Sequence, residues 1–166
     1  WLDNQIVDLL SRSGLVQKRD TEWVFIHKQI QEYLASCALS RLYKPTEHDG
    51  LEIIFRYKET AWVNLILFLL IKWQTASIDI NELLESIYTD DPKSVLFLLE
   101  AKFEGLLLSK GLEEKLESDY FAQISSNEQP WSYYRYVDVG KYLTDRKKVI
   151  NAWLRVISSS VEEIRW

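Results

Sequence analysis

The sequence predicts a mainly α-helical protein with one small β-hairpin near its start. The β-branched and aromatic run from Trp23 to Ile26 is typical of a strand, and it passes without a turn residue into a helical pattern. From residue 46 onward, apolar residues recur only at helical spacing. We therefore expect a short mixed segment followed by a helical array, either stacked HEAT- or armadillo-like repeats or an irregular helical domain.

The first 26 residues predict a short helix followed by a β-hairpin. Apolar residues among the first ten positions predict a short amphipathic helix, which Gly14 is expected to end in the left-handed conformation. Candidate strands at 15–17 and 22–26 flank a polar turn at 18–21. Helix, two-stranded wing and helix are together the elements that end a winged-helix fold.

The second helix is predicted to begin after His27 and to be strongly amphipathic. Its apolar stripe is predicted to contain Ile30, Tyr33, Leu34, Cys37, Ala38 and Leu42. Its polar side is predicted to contain Gln31, Glu32, Ser36 and Arg41. His27 is expected at the junction, where the first free amide groups of the helix point outward.

These residues carry a family resemblance. Phe25-Ile26-His27 followed by Gln31-Glu32-Tyr33-Leu34-Ala35 resembles the Phe-x-His-x-x-x-Gln-Glu-aromatic-hydrophobic-Ala signature that closes the winged-helix domain of NACHT-type signal-transduction NTPases. The segment from Ser11 to Val16 is similar to the one that opens the wing hairpin in that family. Two positions depart from the pattern, since Gln29 replaces the usual Ser or Thr and Ser36 replaces a common Ala.

The resemblance implies that His27 contacts the phosphates of ADP held by a neighbouring, upstream nucleotide-binding domain and so locks a closed state. An imidazole beside a helix amino terminus tends to stay neutral and can donate a hydrogen bond to a phosphate oxygen. The alternative is a histidine that caps the helix or bonds a carbonyl. ATP or ADP with Mg would belong to the parent protein, and no cofactor is expected in this chain alone.

Pro45 marks the predicted domain boundary, because proline removes a backbone donor and disfavours helix at the preceding residue. Residues 1–45 are interpreted as the carboxy-terminal part of a winged-helix domain, and 46–166 as a helical repeat-like domain truncated at its end. The absence of Met and the start at Trp1 favour a piece of a longer polypeptide whose amino-terminal part is missing.

The later helices follow from apolar stripes and capping signals. Asp79 and Glu82 have the spacing of a capping box, and Asp91-Pro92 has the form of a helix start. The predicted helices cover residues 51–57, 62–73, 80–88, 95–103, 112–124 and 149–157. Phe103 is expected on the core side of its helix, and the apolar stripe of the 112–124 helix is expected to contain Leu112, Leu116, Tyr120 and Ile124.

Composition and net charge limit the cellular compartment and the classes of partner that the sequence predicts. The net charge of −5 argues against broad nucleic-acid contact, although Lys18 and Arg19 at the wing tip leave a DNA-binding winged helix as a weaker alternative. The single cysteine, Cys37, favours a reducing, cytoplasmic setting and is expected in the core. The longest apolar run, Trp62 to Ile71, is about half a bilayer span, so it predicts a buried helix and no membrane partner.

No catalytic or metal-binding motif is present in the sequence. A phosphate loop, a G-x-S-x-G elbow, an H-E-x-x-H helix and paired cysteines are all missing. Glu47, His48 and Asp49 are adjacent, and adjacent helical residues do not converge on one metal ion. Glu113, Glu114, Glu117 and Asp119 are interpreted as a solvated helix face.

Two groups of residues are predicted as possible interfaces. Gln31 and Glu32 belong to the helix that would clamp the nucleotide domain. The aromatic cluster of Trp131, Tyr133, Tyr134 and Tyr136 has the residue types that anchor interfaces, and it equally suits packing between helices.

The sequence thus predicts a non-enzymatic regulatory or sensor fragment of a signalling ATPase involved in regulation or defence. It would clamp its own upstream nucleotide domain in the ADP-bound state, receive an unknown protein ligand and allow oligomerisation on activation. The alternative from another class is a stand-alone helical scaffold or protein-interaction module.

Overall fold

A computed structural model gives the structure of residues 4–91, 94–125, 139–140, 143 and 145–163. Within these ranges the chain is mainly helical and carries one two-stranded antiparallel sheet, which confirms the coarse prediction. The chain divides into two compact units, Trp1–Ile78 and Asp79–Trp166.

The first unit contains the hairpin and four α-helices among its described residues. Its elements are α1 (Asn4–Arg12), β1 (Val16–Arg19), β2 (Glu22–Phe25), α2 (Lys28–Leu42), α3 (His48–Ile54), a 3-10 turn (Phe55–Lys58) and α4 (Val63–Thr75). The strands pair from Val16 with Phe25 to Arg19 with Glu22. The predicted hairpin is therefore confirmed, but its turn is shorter than expected because Lys18 and Arg19 belong to β1.

Gly14 ends α1 as predicted. It has a φ of 72°, and its N–H donates to the carbonyl of Ser11 at 3.0 Å. The N–H of Leu15 donates to the carbonyl of Leu10 at 2.9 Å. These two bonds form a Schellman motif, which satisfies carbonyls that the helix end leaves free and turns the chain into β1.

The predicted orientation of α2 is wrong. Glu32 and Ser36, expected on the polar side, are 5% and 0% exposed. Leu34 and Leu42, expected in the core, are 40% and 70% exposed. The physical reason is that α2 packs against α4 through Glu32 and Tyr33, and the polar atoms of Glu32 and Ser36 find hydrogen-bond partners within the unit.

Helix α4 is the buried centre of this unit, as its all-round apolar pattern predicts. Its buried side chains are Ile66, Leu67, Leu69, Leu70 and Trp73. Because α4 packs along α2, the segment 46–78 belongs with the hairpin. The compact units thus divide after Ile78, whereas the predicted domains, 1–45 and 46–166, divide after Pro45.

The second unit is a succession of helices. Its described helices are α5 (Asn81–Asp90), α6 (Ser94–Phe103), α7 (Lys110–Ser125) and α8 (Arg146–Glu163), and each packs against the next. The predicted stripe of α7 is confirmed, with Leu112, Leu116, Tyr120 and Ile124 all buried. Phe103, predicted in the core, is 51% exposed because it lies in the last turn of α6.

The start of α5 differs from the predicted capping box. Oδ1 of Asp79 accepts the backbone and side-chain N–H groups of Asn81 at 3.0 and 2.8 Å. Ile80 is the N-cap, so Asp79 forms a local turn instead of capping the helix with Glu82. At the next helix, the N–H of Ser94 donates to the carbonyl of Asp91 at 2.8 Å, while Pro92 lies outside the described residues.

Replacing Ser77 with glycine is expected to stabilise the protein. Ser77 has a φ of 61° at the end of α4, where N–H groups of Ser77 and Ile78 donate to Gln74 and Trp73 as in a Schellman motif. A left-handed L-residue is strained and glycine is not. We expect Ser77→Gly to raise the free energy of unfolding by about 0.5 to 1 kcal/mol, measured by urea denaturation.

The matched control is Ala76→Gly, one residue earlier, where φ is −80°. Glycine there relieves no strain and increases the entropy of the unfolded chain, so this variant is expected to be less stable than the parent. Equal effects of the two variants would contradict the assignment of strain to Ser77.

Candidate functional site at the start of helix α2

His27 lies between β2 and α2, as the sequence predicts. Its backbone is extended, with φ −119° and ψ 120°, and its carbonyl accepts the N–H groups of Ile30 and Gln31. The residue is exposed, and its imidazole makes no capping hydrogen bond. The ring therefore stands in the positive field of the helix amino terminus with its donor available to an outside acceptor.

His27 heads an exposed stripe on α2. Leu34 follows seven residues later, and Ala38 and Leu42 continue from it at four-residue steps, so these side chains lie on one side of the helix and all three are exposed. Ile26, next to His27, is 44% exposed. The imidazole thus lies at one end of a surface with apolar character, which is typical of an interaction site.

Glu32 connects the site to α4. Its carboxylate accepts a hydrogen bond from Nδ2 of Asn64 at 3.1 Å and lies 3.2 Å from Nζ of Lys28. A buried carboxylate is tolerated when it is paired and hydrogen-bonded, and both conditions hold here. Gln31 beside it is exposed. Glu32 is therefore placed to fix α2, and only Gln31 of the predicted pair offers an open surface.

A second set of contacts continues along the same two helices. The ring of Tyr33 meets Phe68 edge to face, with centroids 5.8 Å apart, and Nζ of Lys72 lies 4.9 Å from the Tyr33 ring. Hydrogen bonding to Tyr33 and then to Cys37 raises the pKa of Lys72. Asn64, Phe68 and Lys72 are four residues apart, so one side of α4 receives α2 along its length. Cys37, predicted in the core, is half-buried beside this contact.

The remaining predicted interface residues are not part of this site. Lys18 and Arg19 are exposed on β1. The aromatic cluster of Trp131, Tyr133, Tyr134 and Tyr136 lies outside the described residues, so its role stays a prediction.

The residues considered for metal binding are exposed. Nδ1 of His48 lies 3.8 Å from Oδ1 of Asp49 and 3.7 Å from Oε1 of Glu52. Within the described ranges, no group of three or more His, Cys, Asp or Glu side chains is arranged to hold a metal ion.

The acidic residues of α7 form more contacts with other helices than the predicted solvated face would. The Tyr88 hydroxyl donates to Oδ2 of Asp119 at 2.7 Å, and this hydrogen bond raises the pKa of Tyr88. Glu113 pairs with Lys102 at 3.1 Å. These two residues therefore join α7 to α5 and α6, whereas Glu114 pairs within α7, with Lys110 at 3.8 Å.

One feature of the second unit escaped the sequence analysis. Phe121 of α7 and the first turns of α8 line a cleft that carries Lys147, Lys148 and Arg155. The available signal was the Arg146-Lys147-Lys148 run followed by Arg155 at helical spacing in an acidic chain.

No known protein family, curated protein or solved structure matches this chain. In the part of the chain that the structure covers, no helix has both the length and the apolar character needed to cross a membrane.

Removing the Glu32 carboxylate is expected to destabilise the first unit. Glu32→Ala deletes the hydrogen bond to Asn64 and the pair with Lys28, and it opens a small void in the α2 and α4 contact. We expect the free energy of unfolding to fall by about 1 to 2 kcal/mol in urea denaturation.

Gln31→Ala is the matched control, since Gln31 is the exposed neighbour on the same helix turn. Its effect is expected to stay within about 0.5 kcal/mol. A loss for Glu32→Ala no larger than that of Gln31→Ala would show that the carboxylate does not hold the helices together.

Proposed function

We propose that this chain is the regulatory part of a NACHT-type signalling ATPase and holds the nucleotide domain of that protein in its ADP-bound, closed state. The observation that carries the proposal is the exposed imidazole of His27 at the start of α2, directly after the hairpin, with no capping hydrogen bond of its own. This placement suits a donor to a phosphate oxygen brought by another domain.

The α2 and α4 contact supplies a route for the signal. A change at His27 moves α2, and α2 is joined to α4 through Glu32 with Asn64 and through Tyr33 with Phe68. Packed helices shift as units because their interfaces resist continuous deformation. In this proposal, loss of the phosphate contact is transmitted to α4 as a rigid displacement.

The helical region is proposed to receive a protein ligand or partner that favours the open state. Such a ligand acts only through its different affinity for the open and closed states. The chain itself carries no catalytic residue in this proposal. ATP, ADP and Mg bind the upstream domain, the protein works in the cytoplasm, and oligomerisation follows opening.

The test is His27→Ala in the complete polypeptide that carries the upstream nucleotide domain. Losing one hydrogen bond to a charged phosphate is expected to cost about 1.5 kcal/mol, so ADP should dissociate about tenfold faster and basal activity should rise. Release of fluorescent ADP measures the rate directly.

His48→Ala is the matched control, since the chain has two histidines and His48 is exposed at the start of α3 instead of α2. It should leave ADP release unchanged. Equal ADP retention in the parent, His27→Ala and His48→Ala proteins would remove the phosphate role, and so would an upstream sequence without a phosphate loop.

The second candidate is a helical protein-interaction module with no nucleotide link. Exposed apolar side chains in the first unit favour it, namely Leu9, Trp23, Ile26, Tyr33, Leu34 and Leu42. Side chains of this kind supply binding energy when a partner covers them. The two candidates are separated by the upstream sequence, because only the first requires a nucleotide-binding domain there.

A further inference from the structure

The cleft in the second unit has the volume of a small-ligand site and is lined mainly by polar residues. Its volume is about 430 Å³, within the usual range for such sites. Lys148, Asn151 and Arg155 are spaced at three and four residues, so they project from one side of α8. Phe121 of α7 and Ala152 form the apolar part of the cleft wall.

The charge in this cleft is concentrated. The residues that line it include three cationic side chains, Lys147, Lys148 and Arg155, and one carboxylate, Asp145, a net charge of +2 in a chain whose total is −5. Like charges held close together repel one another, and a bound anion offsets that repulsion. The local field is therefore attractive for an anion although the whole chain is acidic.

The cations of the cleft differ from the other described lysines of the unit in their ion pairing. Lys102, Lys110 and Lys115 each have a carboxylate partner within 4 Å. Within the described ranges, Lys147 and Arg155 have no ion pair. Their charged groups are therefore available to a ligand.

Two side chains at the cleft are already oriented. Oδ1 of Asp145 accepts the backbone N–H of Lys148 at 2.9 Å and so caps α8. Nζ of Lys148 lies 4.3 Å from the centre of the Phe121 ring. Because Asp145 already occupies the helix terminus, the cleft must bind an anion through its side chains, and the ring holds one of them in place.

We propose that this cleft binds the phosphate groups of a small phosphorylated ligand. The planar guanidinium group of Arg155 can donate two parallel hydrogen bonds to phosphate oxygens. The ammonium groups of Lys147 and Lys148 add positive charge. The Asn151 amide can donate a further hydrogen bond, and Phe121 contacts the organic part of the ligand. More than one phosphate charge is expected, since three cations face the cleft.

The test uses calorimetric titration of the 166-residue chain with inorganic pyrophosphate at low ionic strength. The parent chain is expected to bind with one site, and affinity should fall as salt rises because the charges are exposed. The double variant Lys147→Gln with Arg155→Gln should lose at least about tenfold in affinity, since each lost contact to a charged group costs more than 1 kcal/mol.

Arg146→Gln is the matched control, because it removes one charge from the same helix turn at a position outside the cleft lining. It should keep nearly the parent affinity, and thermal melting should confirm that every variant is folded. A loss in Arg146→Gln equal to that of the double variant would overturn the site in favour of diffuse attraction.

A second arm uses phosphatidylcholine vesicles that contain a phosphorylated inositol lipid. Binding of pyrophosphate would show that the phosphate belongs to a soluble ligand. Binding to these vesicles without binding of pyrophosphate would show that the phosphate belongs to a lipid headgroup, provided the double variant no longer binds the vesicles. Absence of binding in both arms would overturn the proposal. Neither arm involves His27, so the result is independent of the proposed ADP contact.

Discussion

The contact between α2 and α4 is the interaction on which the first unit depends. Helix α4 is apolar nearly all round and must be covered, and α2 covers it with Glu32 and Ser36 instead of its leucines. Burial of these polar groups is tolerated because each has a partner: the carboxylate with Asn64 and Lys28, and the Ser36 hydroxyl with the carbonyl of Tyr33 at 2.7 Å.

This arrangement explains why the candidate site is open. With Glu32 and Ser36 buried, α2 directs Leu34 and Leu42 outward, and His27 lies at the start of that stripe. The hairpin and the helix start fix the position of the imidazole through backbone hydrogen bonds, so its side chain is not needed for the fold. Because the fold does not need the imidazole, this side chain is suited to bind a ligand or another domain.

Much of the fold could be predicted because the deciding signals are local. Gly14 marks the end of α1, the run from Trp23 marks a strand, and the stripe of α7 marks its buried side. The orientation of α2 could not be predicted. Periodicity identifies an apolar stripe, but the choice of side depends on Asn64 and Phe68, which are distant in sequence.

The candidate site was predicted in part. The position of His27 follows from the change of period after Ile26, whereas the burial of Glu32 is a tertiary effect that overrides its polarity. The basic cleft was missed because its residues become a site only when α8 meets Phe121 of α7. Local sequence signals therefore locate single residues, while combinations from two helices require the packed structure.

The most direct test of the central contact is a double-mutant cycle between Glu32 and Asn64. The free energies of unfolding of Glu32→Ala, Asn64→Ala and the double variant give the coupling energy of the pair. The structure predicts a favourable coupling of about 1 kcal/mol, the value of a typical intramolecular hydrogen bond. Additive effects, with no coupling, would contradict the account of how α2 is held on α4.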